Sequence, residues 1–156
     1  MEYEILKVNK SNYLLFDDML FFRINEREKN EFEQKNTKIN DTVYKILEDK
    51  NLYLYAAQTG NKFIGWISLV FIPKIGKTNG KGHLYIDELW VNPAYRNNGI
   101  AYALMGKGEI ISNELNTAGL RLYVNSDNNE ALPLYKKCGY IEKGNAIFME
   151  KETGLI

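Results

Sequence analysis

Apolar positions along the chain change period several times, and each change marks an element. Residues Tyr3–Val8 (YEILKV) partly alternate and predict a first strand. Ser11 reads as the N-cap of a helix whose Leu14, Leu15, Met19 and Phe22 recur at helical spacing. From Asn25 to Asn40 the chain is polar and dense in Glu and Lys, which fits a mobile loop or an exposed helix. The acidic residues of the N-terminal part (Asp17, Asp18, Glu26, Glu28, Glu31, Glu33) are interleaved with Arg23, Arg27, Lys29 and Lys35, as on a solvated face; steering of a cationic amine is the alternative. Thr42–Leu47 returns to a short helical pattern. Leu52–Ala57 (LYLYAA) and Lys62–Phe71 (KFIGWISLVF) read as strands joined by the turn residues Gln58-Thr59-Gly60-Asn61, hence a hairpin. Pro73–Gly82, with Gly76, Gly80 and Gly82, reads as a plain connection, with contact to a substrate as the alternative.

The second half alternates strand and helix. His83–Val91 (HLYIDELWV) is a strand ending at Asn92-Pro93, and Ile100, Leu104, Gly108, Ile111 and Leu115 then fall on one helical stripe. Gly106 and Gly108 each weaken that helix by about 1 kcal/mol relative to Ala. Close packing against a strand would explain Gly108, which lies on the buried stripe, but nothing in the pattern explains Gly106. Gly119–Val124 reads as a strand and Asn128–Lys137 as a helix stopped by Gly139. Tyr140–Glu142 and Ala146–Glu150 close the chain as short strands. The sum is a single domain over 1–156 of class α/β (α+β), with a mixed sheet of about seven strands and helices on both faces.

Composition narrows the partners. At 45% hydrophobic and 26% charged residues, the 156-residue chain is ordinary for a folded domain. Its 20 basic and 20 acidic residues leave a formal net charge of +0, which argues against nucleic acid as a partner. One cysteine and one histidine make neither an internal disulfide nor a Cys/His metal cluster, so no metal is expected. Met1-Glu2-Tyr3-Glu4 lacks a signal-peptide pattern, and no run approaches the roughly 20 apolar residues of a membrane span. The expectation is a cytoplasmic domain with no membrane partner. His83 reads as an exposed strand-start residue, and Cys138 as a small hydrophobe rather than a nucleophile.

Val91–Ala101 (VNPAYRNNGIA) carries the most chemistry. A strand stops at Pro93, an Asn-rich turn follows, and a helix begins near Gly99. The first turn of a helix has unpaired N–H groups and a positive dipole end. Glycine lets a bulky phosphate approach that backbone, and Arg96 adds charge, so this is a main-chain anion site. It is neither a P-loop nor a G-x-G-x-x-G turn.

Arg96-x-x-Gly99-x-Ala101 resembles the R/Q-x-x-G-x-G/A signature of the GNAT superfamily of N-acetyltransferases. Asp87-Glu88-Leu89-Trp90-Val91 is similar to that family's fourth strand. Asn128-x-x-Ala131-x-x-Leu134-Tyr135-x-Lys137-x-Gly139-Tyr140 is similar to its N-x-x-A-x-x-L-Y-x-K-x-G-F/Y segment. Phe63-Ile64-Gly65 and Met149-Glu150-Lys151 also match, and the likeness covers roughly residues 50–151.

The resemblance implies a mostly antiparallel sheet in which His83–Val91 and Gly119–Val124 run parallel and splay after a bulge, with acetyl-CoA in the gap. Its pantetheine arm would lie along Leu89, Trp90 and Val91, and a backbone N–H would polarise the thioester carbonyl. Its diphosphate would rest on Arg96, Asn97, Asn98, Gly99, Ile100 and Ala101, with Asn128, Ala131 and Tyr135 beside the cofactor. Asn128 reads equally as a plain N-cap. Tyr135 would face the sulfur as general acid. A phenol near pKa 10 gives its proton to a thiol near 8.5 only uphill, by about 2 kcal/mol, so hydrogen-bond donation is the safer description. Asp87 or Glu88 would take the proton of the amine; as strand neighbours only one of them should face the site, and a water relay fits a weak carboxylate base.

The implied reaction is acetyl transfer to a primary amine, on a small molecule or a peptide, by direct attack in a ternary complex. A non-catalytic acyl-CoA sensor is the alternative. Nothing in the sequence sets the oligomeric state, and a homodimer stays open.

Overall fold

A computed structural model of the chain describes residues 1–154. Five strands form one sheet in sequence order: β1 (Glu4–Lys7), β2 (Leu52–Thr59), β3 (Lys62–Ile72), β4 (His83–Val91) and β5 (Leu120–Leu122). The first three pairings are antiparallel and the β4–β5 pairing is parallel. The hairpin from Leu52 to Phe71 is the one its turn residues predict, and β3, buried from Phe63 to Leu69, is the spine of the sheet.

Each face of the sheet has its own core. On one face lies α1 (Tyr13–Asn25), with Tyr13, Phe16 and Met19 packed on Ala56, Phe63 and Trp66. On the other lies α4 (Ile100–Glu114), whose Ile100, Leu104, Met105 and Ile111 are buried against Ile67, Leu69, Leu84 and Ile86. Leu104 and Met105 are fully covered, and each such side chain contributes about 2 kcal/mol. The α4 stripe is the one its spacing predicts, apart from Leu115, which caps the helix and is exposed.

Gly108 sits where α4 approaches the sheet most closely. A Cβ there would lie 3.0 Å from Leu69 Cδ2 and 3.1 Å from Leu120 Cδ2, whereas one on Gly106 would meet nothing within 4 Å.

Several expectations need correction. The buried face of α1 includes Tyr13 and Phe16, while Leu14 is half exposed, because this helix is apolar nearly all round and periodicity selects no face. Ser11 does not cap it: Asn12 precedes the first turn, and the Ser11 hydroxyl donates to Asn9 Oδ1 at 2.6 Å. Two readings hold instead: of the alternatives for the polar stretch after α1 the exposed helix is found, as α2 (Glu31–Asn36), opened by a reciprocal Asn30–Glu33 cap, and the short helical pattern that follows is α3 (Asp41–Leu47). His83 is buried rather than exposed, since strand pairing draws it in at the start of β4.

The sheet has five strands among the described residues rather than about seven. Tyr140–Glu142 and Ala146–Glu150 form no strands; residues 141–154 are exposed and pair with no strand.

Candidate active site

The register of β4 makes the site. Ser68 pairs with Glu88 and Leu69 with Ile86, so Asp87 has no partner on β3 and forms a bulge. The parallel ladder to β5 covers Leu84–Leu120, Tyr85–Arg121 and Ile86–Leu122 and stops there, one residue before the bulge. Beyond it, Glu88–Val91 stays paired to β3 on one edge and has no strand on the other. The strands run parallel, as expected, but β5 is shorter than the expected Gly119–Val124 and its ladder ends just before the bulge rather than after it.

The bulge also changes the question posed by the adjacent carboxylates. Ile86 and Leu89 both belong to the core on the α4 face, so Asp87 and Glu88 fall together between two residues of one face. Strict alternation, which would turn only one of them to the site, does not hold across this step. Glu88 accepts from Arg23 of α1 at 3.3 Å, and that guanidinium lies 4.9 Å above the Trp66 ring. Asp87 is exposed and has no ion pair among the described residues. Leu89 and Val91 pack on the α4 face, and the Trp90 ring lies 5.0 Å from that of Trp66 on the α1 face.

The turn after β4 is held from within. Asn92 Oδ1 accepts from Ala94 N at 3.0 Å and starts a single 3-10 turn, Pro93–Tyr95. Asn98 Nδ2 donates to the carbonyls of Tyr95 and Arg96 at 3.1 and 3.0 Å. Asn97 and Gly99 adopt left-handed backbone at φ 62° and 77°, a region open to glycine and tolerated by asparagine. The α4 ladder begins with Ala103 N to Gly99 O at 3.0 Å. No protein group among the described residues accepts from the amides of Ile100, Ala101 and Tyr102.

Space above this turn is open: a Cβ on Gly99 would have only Tyr3 Oη within 4 Å, at 3.7 Å. Free amides at the positive end of a fifteen-residue helix, with room above them, fit a diphosphate. Arg96 is already engaged: its Nε donates to Val91 O at 3.2 Å and its Nη1 to Glu130 at 3.3 Å. It ties the end of β4 to the segment that opens α5 (Ala131–Lys137).

Asn128 Oδ1 accepts from Ala131 N at 3.0 Å, so the side chain holds the turn leading into that helix, although the N-cap itself is Glu130 rather than Asn128. Tyr135, on the same helix, packs against the α4-side core, and its hydroxyl makes no hydrogen bond with another described residue. Burial, with Cys138 adding to it, raises its pKa above that of a free phenol. Cys138 is half-buried, and burial raises its thiol too, as suits a small core residue.

Tyr140 is the residue that sequence reasoning passed over. Its ring lies 6.1 Å from that of Tyr135, and its buried hydroxyl has no partner among the described residues. Its only signal was its place as the last letter of the Asn128–Tyr140 motif. A separate cleft of about 440 Å³ opens between α1 and the start of β3, beside Leu14, Leu15, Phe22, Phe63 and Tyr95. Asp87, Glu88 and Tyr135 do not line it.

A bulged strand that parts from its parallel neighbour beside a glycine-led helix is the arrangement the resemblance implied. The chain belongs to the Acetyltransferase (GNAT) family, which matches residues 17–140. The catalytic subunit NAA20 of the N-terminal acetyltransferase B complex of Arabidopsis thaliana is 33% identical over 94 residues, a match covering 57% of this chain. The chain spans about half (50%) of that relative's length. Among solved structures, the aminoglycoside acetyltransferase meta-AAC0020 from an uncultured soil metagenomic sample superposes at a TM-score of 0.77 with 17% identity, over 97% of each chain. The ribosomal-protein-alanine N-acetyltransferase of Brucella melitensis superposes at 0.69 with 14% identity, over 97% of this chain and 100% of the other. Both are likenesses of fold.

Proposed function

We propose that this chain transfers an acetyl group from acetyl-CoA to a primary amine, by direct attack within a ternary complex. The observation that carries the reading is the gap between β4 and β5. It opens at a bulge and has unclaimed helix amides at the turn that follows β4. Acetyl-CoA supplies an acetyl group activated as a thioester, and the chain's own residues do the rest. Amides of Ile100, Ala101 and Tyr102 bind the diphosphate, with Gly99 leaving it room. Main-chain groups of Leu89 and Val91 align the pantetheine arm.

Tyr135 holds its proton at neutral pH, because burial raises its pKa, and donates a hydrogen bond to the sulfur as the thiolate leaves. Of the two carboxylates, Asp87 is the better proton acceptor for the amine, directly or through water, since Glu88 is taken by Arg23. No covalent acyl-enzyme is needed: Cys138 is half-buried and its thiol is held protonated.

The named relatives act on two kinds of amine, a protein N-terminus and an aminoglycoside, and either could approach the exposed Asp87 carboxylate at the free edge of β4. The reaction belongs in the cytoplasm, which keeps the lone thiol reduced. The test is a panel of peptide and small-molecule amines mixed with protein and acetyl-CoA, following free thiol. Amine-dependent thiol release is expected. Tight binding without release for every amine would make the chain a sensor, and failure to bind acetyl-CoA would overturn the reading.

A further inference from the structure

The turn at the head of α4 uses most of its own side-chain donors on itself. Asn98 Nδ2 is engaged by the carbonyls of Tyr95 and Arg96, and Arg96 by Val91 O and Glu130. The Glu130 carboxylate also offsets the charge of the one cation that the turn supplies. Main-chain amides remain to meet a diphosphate, whose charge is spread over several oxygens. One further side chain stands over this turn, and it comes from the start of the chain. Tyr3 Oη lies 3.7 Å from the position that a Cβ on Gly99 would take, and no other atom beyond that glycine's own backbone surroundings comes within 4 Å.

The ring of Tyr3 is held in place. It packs against the α4-side core, to which Tyr95 and Ile100 also belong. Directly after it, Glu4 pairs with Gln58 at the start of β1; directly before it, Glu2 O accepts from Thr59 Oγ1 at 2.9 Å. The hydroxyl makes no hydrogen bond with another described residue. A tyrosine with its body on the core and its polar tip at an opening is a common amphipathic arrangement. Here the opening is the space above the α4 amides.

We propose that Tyr3 is a cofactor-binding residue, whose phenol donates a hydrogen bond to a diphosphate oxygen of acetyl-CoA seated on the amides of Ile100, Ala101 and Tyr102. The contact rests on the acetyl-transfer reading and adds to it a side chain that lies ahead of residues 17–140, the span matched by the family. A phenol suits the place. A neutral donor meets the anion without desolvating a second charge, and a ring already fixed by packing loses little freedom on binding. Gly99 gains a second reason to lack a side chain, beyond its φ of 77°: a Cβ would fill the space that the hydroxyl and the diphosphate share.

Calorimetric titration of the wild type and of Tyr3→Phe with coenzyme A and with dephospho-coenzyme A tests the contact. The second ligand keeps the diphosphate and lacks the 3′-phosphate, and the variant keeps the ring and its packing. Loss of one hydrogen bond to a charged group is expected to weaken both ligands by the same factor, about tenfold or more. Pantetheine, which has no diphosphate, is followed through the amide resonances of Leu89 and Val91 and is expected to bind the two proteins alike. Unchanged affinity of Tyr3→Phe for coenzyme A overturns the proposal. So does a loss confined to coenzyme A over its dephospho form, which would place the hydroxyl at the 3′-phosphate, or an equal loss for pantetheine, which would make the role of Tyr3 structural. A wild type that binds no coenzyme A overturns the acetyl-transfer reading itself, and this contact with it.

Discussion

A phenol that must donate to sulfur needs to keep its proton and to have its hydroxyl free. Tyr135 meets both conditions: burial raises its pKa, and no neighbour among the described residues claims its hydrogen-bonding capacity. Tyr135→Phe is expected to lower kcat by ~100-fold or more while acetyl-CoA affinity, measured by calorimetry, stays within about twofold. Because the shift is upward, loss of this proton should not depress the rate until above pH 10. His83 offers a prediction on stability. Burial, with Arg121 and Lys74 nearby, lowers its pKa below 6.5, so below that pH the unfolded chain binds a proton that the folded chain resists. Its stabilising effect is complete above pH 6.5 and is lost as pH falls through the window beneath. Urea midpoints should therefore drop between pH 7 and 5.5, with a shallower drop in His83→Gln. Tyr135 was legible from its motif. The burial of His83 and the orphaned Tyr140 hydroxyl were not, because burial at a strand start or after a helix is decided by what packs on top.

At the scale of elements, two glycines in one helix test how α4 meets the sheet. Gly106→Ala adds a methyl group to open space and should stabilise by up to about 1 kcal/mol through helix propensity. Gly108→Ala makes the same gain, but its methyl presses on two leucine methyl groups, and crowding of about 1–3 kcal/mol should outweigh it. Thermal melts of the two variants should move in opposite directions. Spacing alone separated these glycines, since one lies on the buried stripe. Spacing failed for α1, which is apolar on too many sides to reveal its inner face. It also failed at Asp87, because a bulge is a mismatch between two strands and neither strand carries it alone. The closing strands illustrate another limit: Ala146–Glu150 has strand character, but a strand exists only once it pairs, and pairing is not written in the segment itself.

For the whole molecule, the two cores and the sequential sheet serve to hold β4 between a rigid neighbour, β3, and a short one, β5. That asymmetry lets the strands part on one side without unravelling the sheet. The account's central claim is that the amides at the head of α4 hold a diphosphate while the freed edge of β4 holds what is attached to it. Titrating isotope-labelled protein with coenzyme A and following backbone amide resonances tests this most directly. The account predicts saturable shifts at Gly99, Ile100, Ala101 and Tyr102, with Leu89 and Val91 moving at the same ligand concentration. Unmoved resonances there, with the shifts gathered instead around Leu14, Phe22 and Phe63 in the α1 cleft, would contradict it.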